Sequence, residues 1–281
     1  MILKYGKSWI AFAWILPAAA FLVGCGHVAG ENGEAPTPRV LVIGHRGNSI
    51  AAPENTLTAI EDAFRVGADV VEVDVRRSLD GVLYLFHDDV LDRTSDGNGP
   101  VGGREFSELR ALDVGTWFHP RYAGAHIPTL EEAIRVAALH EGRLLLDLKE
   151  PAVRAEQVAS VLHRLSMPDQ ILVIGAWTEQ HLAEFPKLLP GAELLWMARM
   201  PQSADAAFFD DARARGIQGF ETDFPVSEAF MKDANENDMP IIVFTVNDAP
   251  SLRHLLRLGV AGIETDDPAL LVELAREQGR R

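Results

Sequence analysis

The sequence predicts a (β/α)8 barrel, an α/β fold in which eight parallel strands alternate with helices. Two observations favour this fold. Short apolar runs alternate with amphipathic stretches from Arg39 onward, giving eight strand–helix pairs in about 240 residues, as such barrels require. The first strand is followed by Gly44-His45-Arg46-Gly47 and a further loop. The alternative, a doubly wound open sheet, would show a glycine-rich turn that opens directly into a helix at this point.

The eight predicted strands are short apolar runs rich in β-branched residues, which is typical of parallel strands that helices cover. They run at about Val40–Ile43, Val70–Val75, Leu144–Leu148, Ile171–Ile174, Leu194–Met197, Gly219–Glu221, Ile241–Thr245 and Gly262–Glu264. A further apolar run at residues 82–86 follows the second strand closely enough to form a hairpin with it.

The predicted helices fall between these strands, and several of them begin at capping residues. Thr129 is followed three residues later by Glu132, which is the spacing of a capping box. Asp267-Pro268 places proline at a first helical position. The helices are predicted at Thr56–Val66, Leu130–His140, Ala152–Leu165, Glu179–Phe185, Ala204–Arg215, Ser227–Asn235, Pro250–Leu258 and Pro268–Gln278.

One segment, approximately residues 89–128, departs from the regular alternation. It contains a glycine-rich turn at residues 97–100 and a short helical stretch near residues 107–112. About 40 residues is long for a connection in a compact barrel. We therefore expect a small insertion after the second strand and its hairpin, lying over the barrel mouth where it can shape access for substrate.

The N-terminus has the features of an export signal. Lys4 and Lys7 precede an apolar run from Trp9 to Val23, which is too short for a convincing membrane span. The run ends in Leu22-Val23-Gly24-Cys25, which resembles the lipobox of bacterial lipoproteins, in which the cysteine becomes the lipidated first residue. Cys25 is the only cysteine in the chain, and this excludes a structural disulfide within it. A plain secretory signal with an incidental cysteine is the alternative.

These features divide the chain into three parts. We expect a lipoprotein signal peptide at residues 1–24, a flexible tether rich in glycine, proline and glutamate at residues 25–38, and the barrel at residues 39–281. The protein would then be exported and lipid-anchored in the bacterial cell envelope. Glycine rather than aspartate at Gly26 favours the outer membrane, on the periplasmic face, by the same resemblance.

The acidic balance of the chain restricts its partners. Lysine and arginine total 26 against 41 acidic residues, a formal charge of −15. Such a surface argues against nucleic acid as a partner, because no basic stripe is present to neutralise phosphates. A small phosphate-bearing substrate is not excluded, since it needs only a local cluster of cations.

Carboxylates at strand ends point to a metal site. Glu72 and Asp74 are two residues apart in the second strand, so their side chains leave the same face. Two neighbouring carboxylates repel each other and are costly to bury, and a hard divalent cation resolves this conflict. Asp147, at the end of the third strand, is the candidate for a third ligand. We therefore expect one divalent cation, magnesium or calcium.

Basic, histidine and amide side chains also occur at strand ends, where the active site of a barrel forms. His45 and Arg46 follow the first strand, His87 ends the run after the second strand, and Lys149 ends the third strand. Asn247 follows the seventh strand, where it serves either substrate binding or ordinary turn chemistry.

Nine motifs along the chain resemble the glycerophosphodiester phosphodiesterase family. They span residues 40 to about 270 and are Gly44-His45-Arg46-Gly47, Ala52-Pro53-Glu54-Asn55-Thr56, Glu72-x-Asp74, His87-Asp88, Leu91-Asp92-Arg93-Thr94, Ile127-Pro128-Thr129-Leu130-Glu131-Glu132, Asp147-x-Lys149, Phe244-Thr245-Val246-Asn247 and Gly262-Ile263-x-Thr265-Asp266. Each motif is weak alone, but the whole set in order is highly specific. The resemblance implies a barrel with a small insertion, a divalent cation, and hydrolysis of glycerophosphodiesters to glycerol 3-phosphate and an alcohol.

The resemblance implies that His45 and His87 act as the general acid and base. Imidazole suits both tasks because its unperturbed pKa of about 6.5 lies near operating pH. Which histidine is the acid stays open, as does the nucleophile, either water or the substrate's own glycerol 2-hydroxyl. The cation would neutralise charge on the phosphoryl oxygens. Arg46, as a planar fork, and Lys149, as a point charge, would hold the remaining oxygens.

Other members of the predicted site carry alternatives. Glu54 either helps to cap the first helix or helps to orient the site. The family usually has glutamate where Asp147 stands, and Leu146-Asp147-Leu148-Lys149 is closer to the related sphingomyelinase D enzymes. Phe244 stands where tryptophan or another aromatic residue commonly lines the glycerol pocket, so an apolar wall is kept and an indole donor is lost.

Two other functions are alternatives. A phospholipase D-like or phosphatidylinositol-cleaving relative would act on intact lipid and would need an exposed apolar rim, for which Trp117, Phe118 and Tyr122 are the candidates. A non-catalytic barrel lipoprotein is disfavoured, because both histidines and all three acidic positions are present. Four further acids near strand ends are expected to be mainly structural: Glu221, Asp223, Glu264 and Asp266.

Overall fold

The computed structural model describes residues 39–281. The predicted signal peptide at residues 1–24 and the predicted tether at residues 25–38, which includes Cys25, therefore lie outside the described residues. Among the described residues, none of the helices has both the length and the apolar character needed to cross a membrane.

Eight parallel strands close into a barrel, as predicted. They are β1 (Leu41–Gly44), β2 (Val70–Arg77), β4 (Arg143–Leu148), β5 (Leu172–Ala176), β6 (Glu193–Met197), β7 (Gly219–Asp223), β8 (Ile241–Phe244) and β9 (Gly262–Thr265), with β3 (Leu83–Leu85) as an additional strand. The order around the barrel is β1-β9-β8-β7-β6-β5-β4-β2, and the pairing of β1 with β2 closes it. β3 pairs antiparallel with the end of β2 and forms the expected hairpin.

Helices lie between successive barrel strands. They are α1 (Leu57–Val66), α2 (Phe106–Arg110), α3 (Leu130–Leu139), α4 (Ala155–Leu165), α5 (Glu179–Leu182), α6 (Phe185–Leu188), α7 (Ala206–Ala214), α8 (Glu228–Glu236), α9 (Ala249–Leu258) and α10 (Pro268–Glu277). The capping box at Thr129 and Glu132 begins α3, and Pro268 occupies the start of α10. Both cap predictions are confirmed.

Three helix predictions need correction. The single helix predicted at residues 179–185 is two short helices, and Pro186 lies in the first turn of the second, where its missing N–H costs no hydrogen bond. The predicted helix from Ala152 begins later, at α4, where the Gln157 side chain accepts a hydrogen bond from the Arg154 N–H at 3.0 Å. The one predicted from Ala204 begins at α7, because Asp205 caps it by accepting from the N–H of Phe208.

Side chains alternate between the two faces of each barrel strand. Val71, Val73 and Val75 of β2 point outward into the core that the helices cover. Val70 points inward, where it joins an apolar layer that fills the lower barrel, formed by Leu41, Ile43, Val70, Leu145, Val173, Leu195 and Ile242. Glu72 and Asp74 follow Val70 at the period of two, so they also point inward and lie nearer the carboxyl end.

The segment between β3 and α3 is an insertion with its own small apolar core. It contains α2 and a turn of 3-10 helix at Pro120–Tyr122. Its core is formed by Tyr84, Phe86, Leu91, Val101, Leu109, Val114 and Ile127. The Tyr122 hydroxyl donates a hydrogen bond to the Ala51 carbonyl at 2.6 Å, which fastens the insertion to the loop between β1 and α1.

Candidate active site

Three carboxylates meet at the upper end of the barrel interior. Glu72 and Asp74 come from β2, and Asp147 of β4 is the register partner of Asp74. One oxygen from each of these three residues lies within 4.8 Å of the others, and all three residues are buried. The predicted trio therefore converges on one point, although its members come from two strands.

The trio has the chemistry of a site for a hard divalent cation. Burial raises the pKa of Glu72 well above its ordinary value, and the charges of Asp74, Glu264 and Asp147 add to this effect. Burial also raises the pKa of Asp147, and one of its oxygens is buried without a hydrogen-bond partner. Clustered buried carboxylates, one of them with an unpaired oxygen, fit a bound magnesium or calcium ion.

Two cationic side chains contact this trio. The Lys149 ammonium lies 2.8 Å from a carboxylate oxygen of Asp74 and also contacts Asp147. The Arg46 guanidinium lies 3.2 Å from Asp74, and its backbone N–H donates to Glu72 at 2.8 Å. Although burial opposes it, the charges of Asp74 and Asp147 raise the pKa of Lys149. Both side chains are therefore cations placed where anionic oxygens of a ligand would be held.

His45 is oriented by Asp266, which follows β9. The ring Nδ1 lies 2.7 Å from Oδ1 of Asp266, which also accepts from the Ser49 hydroxyl at 2.9 Å. The other oxygen of Asp266 accepts from the Asn247 amide at 2.6 Å. These hydrogen bonds lower the pKa of Asp266 although its burial opposes them. Because an ionised carboxylate only accepts, Nδ1 carries the hydrogen and Nε2, 3.7 Å from Glu264, faces the barrel interior.

His87 has an equivalent arrangement with its neighbour in the chain. Its Nδ1 lies 2.6 Å from Asp88, and the Arg93 guanidinium binds the same carboxylate at 2.6 Å and 2.8 Å. The hydrogen bonds from Arg93 and His87 hold the pKa of Asp88 well below its usual range. His87 interacts electrostatically with Asp74 and Asp147, so this ring lies near the acidic trio.

Arg93 connects the insertion to Arg46 through Glu54. In addition to Asp88, its guanidinium donates to both oxygens of Glu54, at 2.6 Å and 2.8 Å. Glu54 accepts in turn from Arg46 at 2.8 Å. The order His87–Asp88–Arg93–Glu54–Arg46 is therefore a continuous chain of ionic hydrogen bonds, which we call the Arg93 network.

The motif at residues 53–56 divides its roles among its members. Thr56 caps α1, because its side chain accepts from the N–H of Ala59. Glu54 contacts Arg46 and Arg93, which is the orienting alternative of the sequence analysis. Asn55 is buried; its amide donates to Asp74 at 2.6 Å, and its carbonyl accepts from the Asp74 N–H at 3.1 Å.

Phe244 and Asn247 lie near the end of β8. The Phe244 ring packs edge to face on Trp177, with ring centroids 6.0 Å apart, and Trp177 is 52% exposed. Trp177 directly follows β5, so the pair spans the mouth above β6 and β7. Both polar groups of Asn247 bond to the segment at residues 265–266, and its contact with substrate stays a prediction.

Several side chains of the site were not given a role by the sequence analysis. Asn55, Asp88 and Arg93 lie inside motifs that were recognised, so only their partners were missing. Asp266 was expected to be mainly structural, and it contacts His45. Glu221 and Glu264 were expected to be mainly structural, yet both are fully or almost fully buried inside the barrel. The sequence signal that was available is that both residues occupy inward-facing positions in the alternation of their strands.

The aromatic residues of the insertion pack on each other. Trp117 and Phe118 are edge to face with centroids 5.6 Å apart, and Phe118 and Tyr122 have centroids 5.7 Å apart. Trp117 is 40% exposed, and the nearby loop residue Ile50 is 60% exposed. Together with Val90, which is 44% exposed, they are the large apolar side chains that the insertion and its neighbouring loop present to solvent.

Comparisons with known proteins identify similar chains over nearly the whole barrel. Residues 45–270 match the family model described as the Glycerophosphoryl diester phosphodiesterase family. A glycerophosphodiester phosphodiesterase of Caldanaerobacter subterraneus subsp. tengcongensis is 28% identical over 247 residues, which is 86% of this chain and 100% of that protein. One from Bacillus subtilis (strain 168) is 27% identical over 92% of this chain and 94% of that protein.

Solved structures of phosphodiesterases are also similar to this chain over most of its length. A phosphodiesterase from Oleispira antarctica, in complex with the product sn-glycerol-3-phosphate, has a TM-score of 0.73 and 28% identity, and the match covers 85% of this chain and 97% of that chain. A glycerophosphodiester phosphodiesterase from Agrobacterium tumefaciens has a TM-score of 0.70 and 28% identity, with 83% of this chain and 99% of that chain covered.

Proposed function

The chain belongs to the glycerophosphoryl diester phosphodiesterase family and is an enzyme that hydrolyses glycerophosphodiesters; we propose that it does so with one divalent cation and two histidines. The observation that carries the proposal is the arrangement around the acidic trio. Two imidazoles, each held at Nδ1 by its own carboxylate, lie beside three buried carboxylates. The basic side chains of Arg46 and Lys149 contact the same carboxylates.

Glu72, Asp74 and Asp147 would hold the cation, magnesium or calcium. A bound divalent cation supplies Lewis-acid neutralisation of charge on the phosphoryl oxygens. Lys149 contacts two members of the trio and so balances part of their negative charge. Its ammonium group would also bind a phosphoryl oxygen of the substrate. Arg46, held by Glu54, presents its remaining donors as a planar fork that matches phosphate geometry.

The two histidines would divide the proton transfers. With Nδ1 bonded to a carboxylate, each ring presents Nε2 for the reaction. One Nε2 takes the proton from the attacking hydroxyl or water, and the other, protonated, gives its proton to the leaving alkoxide. The paired aspartates keep the rings in the required tautomer and stabilise the imidazolium form. After the step the base holds one more proton and the acid one fewer, so proton exchange with solvent water, or a second step on a cyclic phosphate in which the two rings exchange roles, restores the starting state.

The substrate would enter between the insertion and the aromatic pair. Phe244 and Trp177 provide an apolar wall at the mouth, suited to the carbon face of glycerol or of a headgroup. The acidic trio and the basic side chains of Arg46 and Lys149 lie toward the carboxyl ends of β2 and β4, so the phosphate would bind there. These positions support a small glycerophosphodiester as substrate.

Product analysis tests the proposal directly. Purified protein with calcium or magnesium should convert glycerophosphocholine to glycerol 3-phosphate and choline, whereas intact phosphatidylcholine should remain. H45A and H87A should each lower kcat by roughly 10²–10⁴-fold, the usual worth of a positioned acid or base. H126A, at an exposed position in the insertion, is the matched control. Rates near wild type in H45A or H87A would remove that histidine from the mechanism.

We further propose that the enzyme is exported and anchored in the cell envelope by a lipid on Cys25, facing the periplasm. The support is the sequence at residues 22–25 and the lone cysteine. A C25S variant expressed in a bacterial host should move from the membrane fraction to the soluble fraction, and C25S protein that stays with the membranes would reject the anchor.

A further inference from the structure

A second group of ligand atoms lies next to the acidic trio. One atom from each of His45, Glu72 and Glu264 lies within 4.8 Å of the others, a spacing that one metal ion can bridge. Glu264 points inward from β9, and Glu72 belongs to both this group and the trio. The two groups therefore share one carboxylate, which has two oxygens to offer.

Unpaired buried oxygens support a ligand at this place. One oxygen of Glu264 and both oxygens of Glu221 are buried without a hydrogen-bond partner among residues 39–281. Glu221 is 0% exposed and Glu264 is 3% exposed, and their carboxyl groups lie next to each other on β7 and β9, close enough to share a proton in the metal-free protein. Buried carboxylates without partners are costly, so this region favours an additional positive charge.

The distribution of the basic side chains leads to the same conclusion. Arg46 contacts Asp74 and Glu54, and Lys149 contacts Asp74 and Asp147. Among residues 39–281, none of these contacts reaches Glu264 or Glu221. The described basic side chains therefore leave this part of the barrel interior to a bound cation.

The geometry of His45 indicates which kind of cation fits. Its Nδ1 is bonded to Asp266, and its Nε2 lies 3.7 Å from Glu264. A histidine whose other nitrogen donates to a carboxylate is the usual arrangement in metal sites. Imidazole suits zinc and similar transition metals, whereas magnesium and calcium prefer oxygen ligands alone.

We propose that His45, Glu72 and Glu264 form a second, inhibitory site for a zinc-class divalent cation, with Glu72 bridging it to the cation held by the trio. Carboxylate-bridged pairs of ions about 3.5–4 Å apart are a common arrangement. The inhibition rests on the proposed function of His45. A cation on Nε2 occupies the lone pair that His45 needs to accept or return a proton.

The binding part is tested without any activity measurement. Protein in excess calcium is dialysed against increasing zinc, and bound zinc is measured by atomic absorption. Wild type should bind one zinc per chain in addition to calcium, and E264Q should lose this binding or weaken it by at least roughly tenfold. E221Q is the matched control, since Glu221 is equally buried but lies outside the ligand group, and it should still bind zinc.

The opposite results would overturn the site. Wild type that takes up no zinc beside calcium, E264Q with wild-type affinity, or E221Q that loses zinc as E264Q does would each reject this set of ligands. If E264Q does not fold by circular dichroism, the anomalous signal of zinc in wild-type crystals decides. It should lie about 2.0–2.1 Å from His45 Nε2, and a signal elsewhere would reject the proposal.

Kinetics test the inhibitory part. In excess calcium, zinc should inhibit the wild-type hydrolysis of glycerophosphocholine, and the concentration for half inhibition should rise at least tenfold in E264Q. Absence of hydrolysis in calcium alone would count against the proposed function, while the dialysis result would still decide the second site. Bound zinc that leaves the rate unchanged would overturn the inhibition.

Discussion

Each imidazole of the proposed acid–base pair has a carboxylate partner, and both contacts are short. His45 lies 2.7 Å from Asp266, and His87 lies 2.6 Å from Asp88. Both aspartates have lowered pKa values, so they stay ionised over the range in which histidine titrates. The ring orientation is therefore set by residues that need not touch the substrate.

Replacing Asp266 tests this orientation. D266N removes the charge that fixes Nδ1–H of His45, so kcat should fall roughly 10²-fold or more while KM changes little. The measurement is steady-state hydrolysis of glycerophosphocholine at several pH values. S49A is the control, because it removes one hydrogen bond to the same carboxylate and leaves the charge in place. Equal losses in both variants would mean that Asp266 acts only as part of the local packing.

Glu221 makes the stability of the metal-free protein depend on pH. Burial raises its pKa from 4.5 to about 8 in the folded protein. The folded state thus holds this proton more tightly than the unfolded state, so its contribution is full below about pH 4.5 and is lost as the pH rises to about 8. The upper limit of the loss is about 5 kcal/mol, because one pKa unit corresponds to about 1.4 kcal/mol.

Denaturant unfolding in a chelator, compared between wild type and E221Q, measures this loss. The free energy of unfolding of wild type should decrease relative to that of E221Q between pH 5 and pH 8. The variant lacks the titrating group, so its own profile should be flatter in this window. Parallel profiles for the two proteins would show that Glu221 does not titrate there.

At the scale of elements, the loop between β1 and α1 is held in an uncommon conformation. Arg46 and Asn55 have φ values of 54° and 57°, in the left-handed region that costs a non-glycine residue of order 1 kcal/mol. Their hydrogen bonds to Glu72 and Asp74 offset this cost. Gly47 has φ 98°, and a Cβ built on it would lie 2.5 Å from the backbone carbonyl carbon of Ala59. Glycine therefore lets the loop pass this close to α1.

The insertion contributes to this arrangement through the Arg93 network. R93A should lower kcat and raise KM, with a combined loss in kcat/KM of roughly 10–100-fold, because both Asp88 and Glu54 lose a partner. Added guanidinium should restore part of the activity of R93A. R104A is the matched control, because the Arg104 side chain in the same insertion donates only to the backbone carbonyls of Asn98 and Pro100. Equal effects in R93A and R104A would assign the loss to the insertion fold.

For the whole molecule, the barrel brings β2 and β4 side by side, and this pairing places Asp147 opposite Asp74. A cation bound there links two strands in the native state only. An excess of calcium or magnesium should therefore raise the melting temperature, and at about 100 times Kd the gain is about 2.7 kcal/mol. For a chain of this size that corresponds to a shift of about 5 °C or more.

A thermal scan of wild type and D147N, with and without the divalent salt, measures this shift. D147N should lose most of the shift, because it keeps the shape of the side chain and removes one charged ligand. Sodium chloride at equal ionic strength controls for general screening. A shift in D147N as large as in wild type would place the ion elsewhere.

The fold and the composition of the site could largely be predicted from the sequence. Strand alternation has a period of two, so Glu72 and Asp74 had to share a face, and Val71, Val73 and Val75 had to share the other. The places of His45, Arg46, His87 and Lys149 at strand ends are equally local features.

The tertiary structure alone decided the partners of these residues. Asp266 is 221 residues from His45, and Arg93 is 39 residues from Glu54, so no local pattern relates them. Whether Glu221 and Glu264 would face each other depended on barrel closure and on the register of β7, β8 and β9. Periodicity sets which face of a strand a side chain leaves, but only the closed barrel sets which side chains then meet, because that distance depends on strands far apart in the chain.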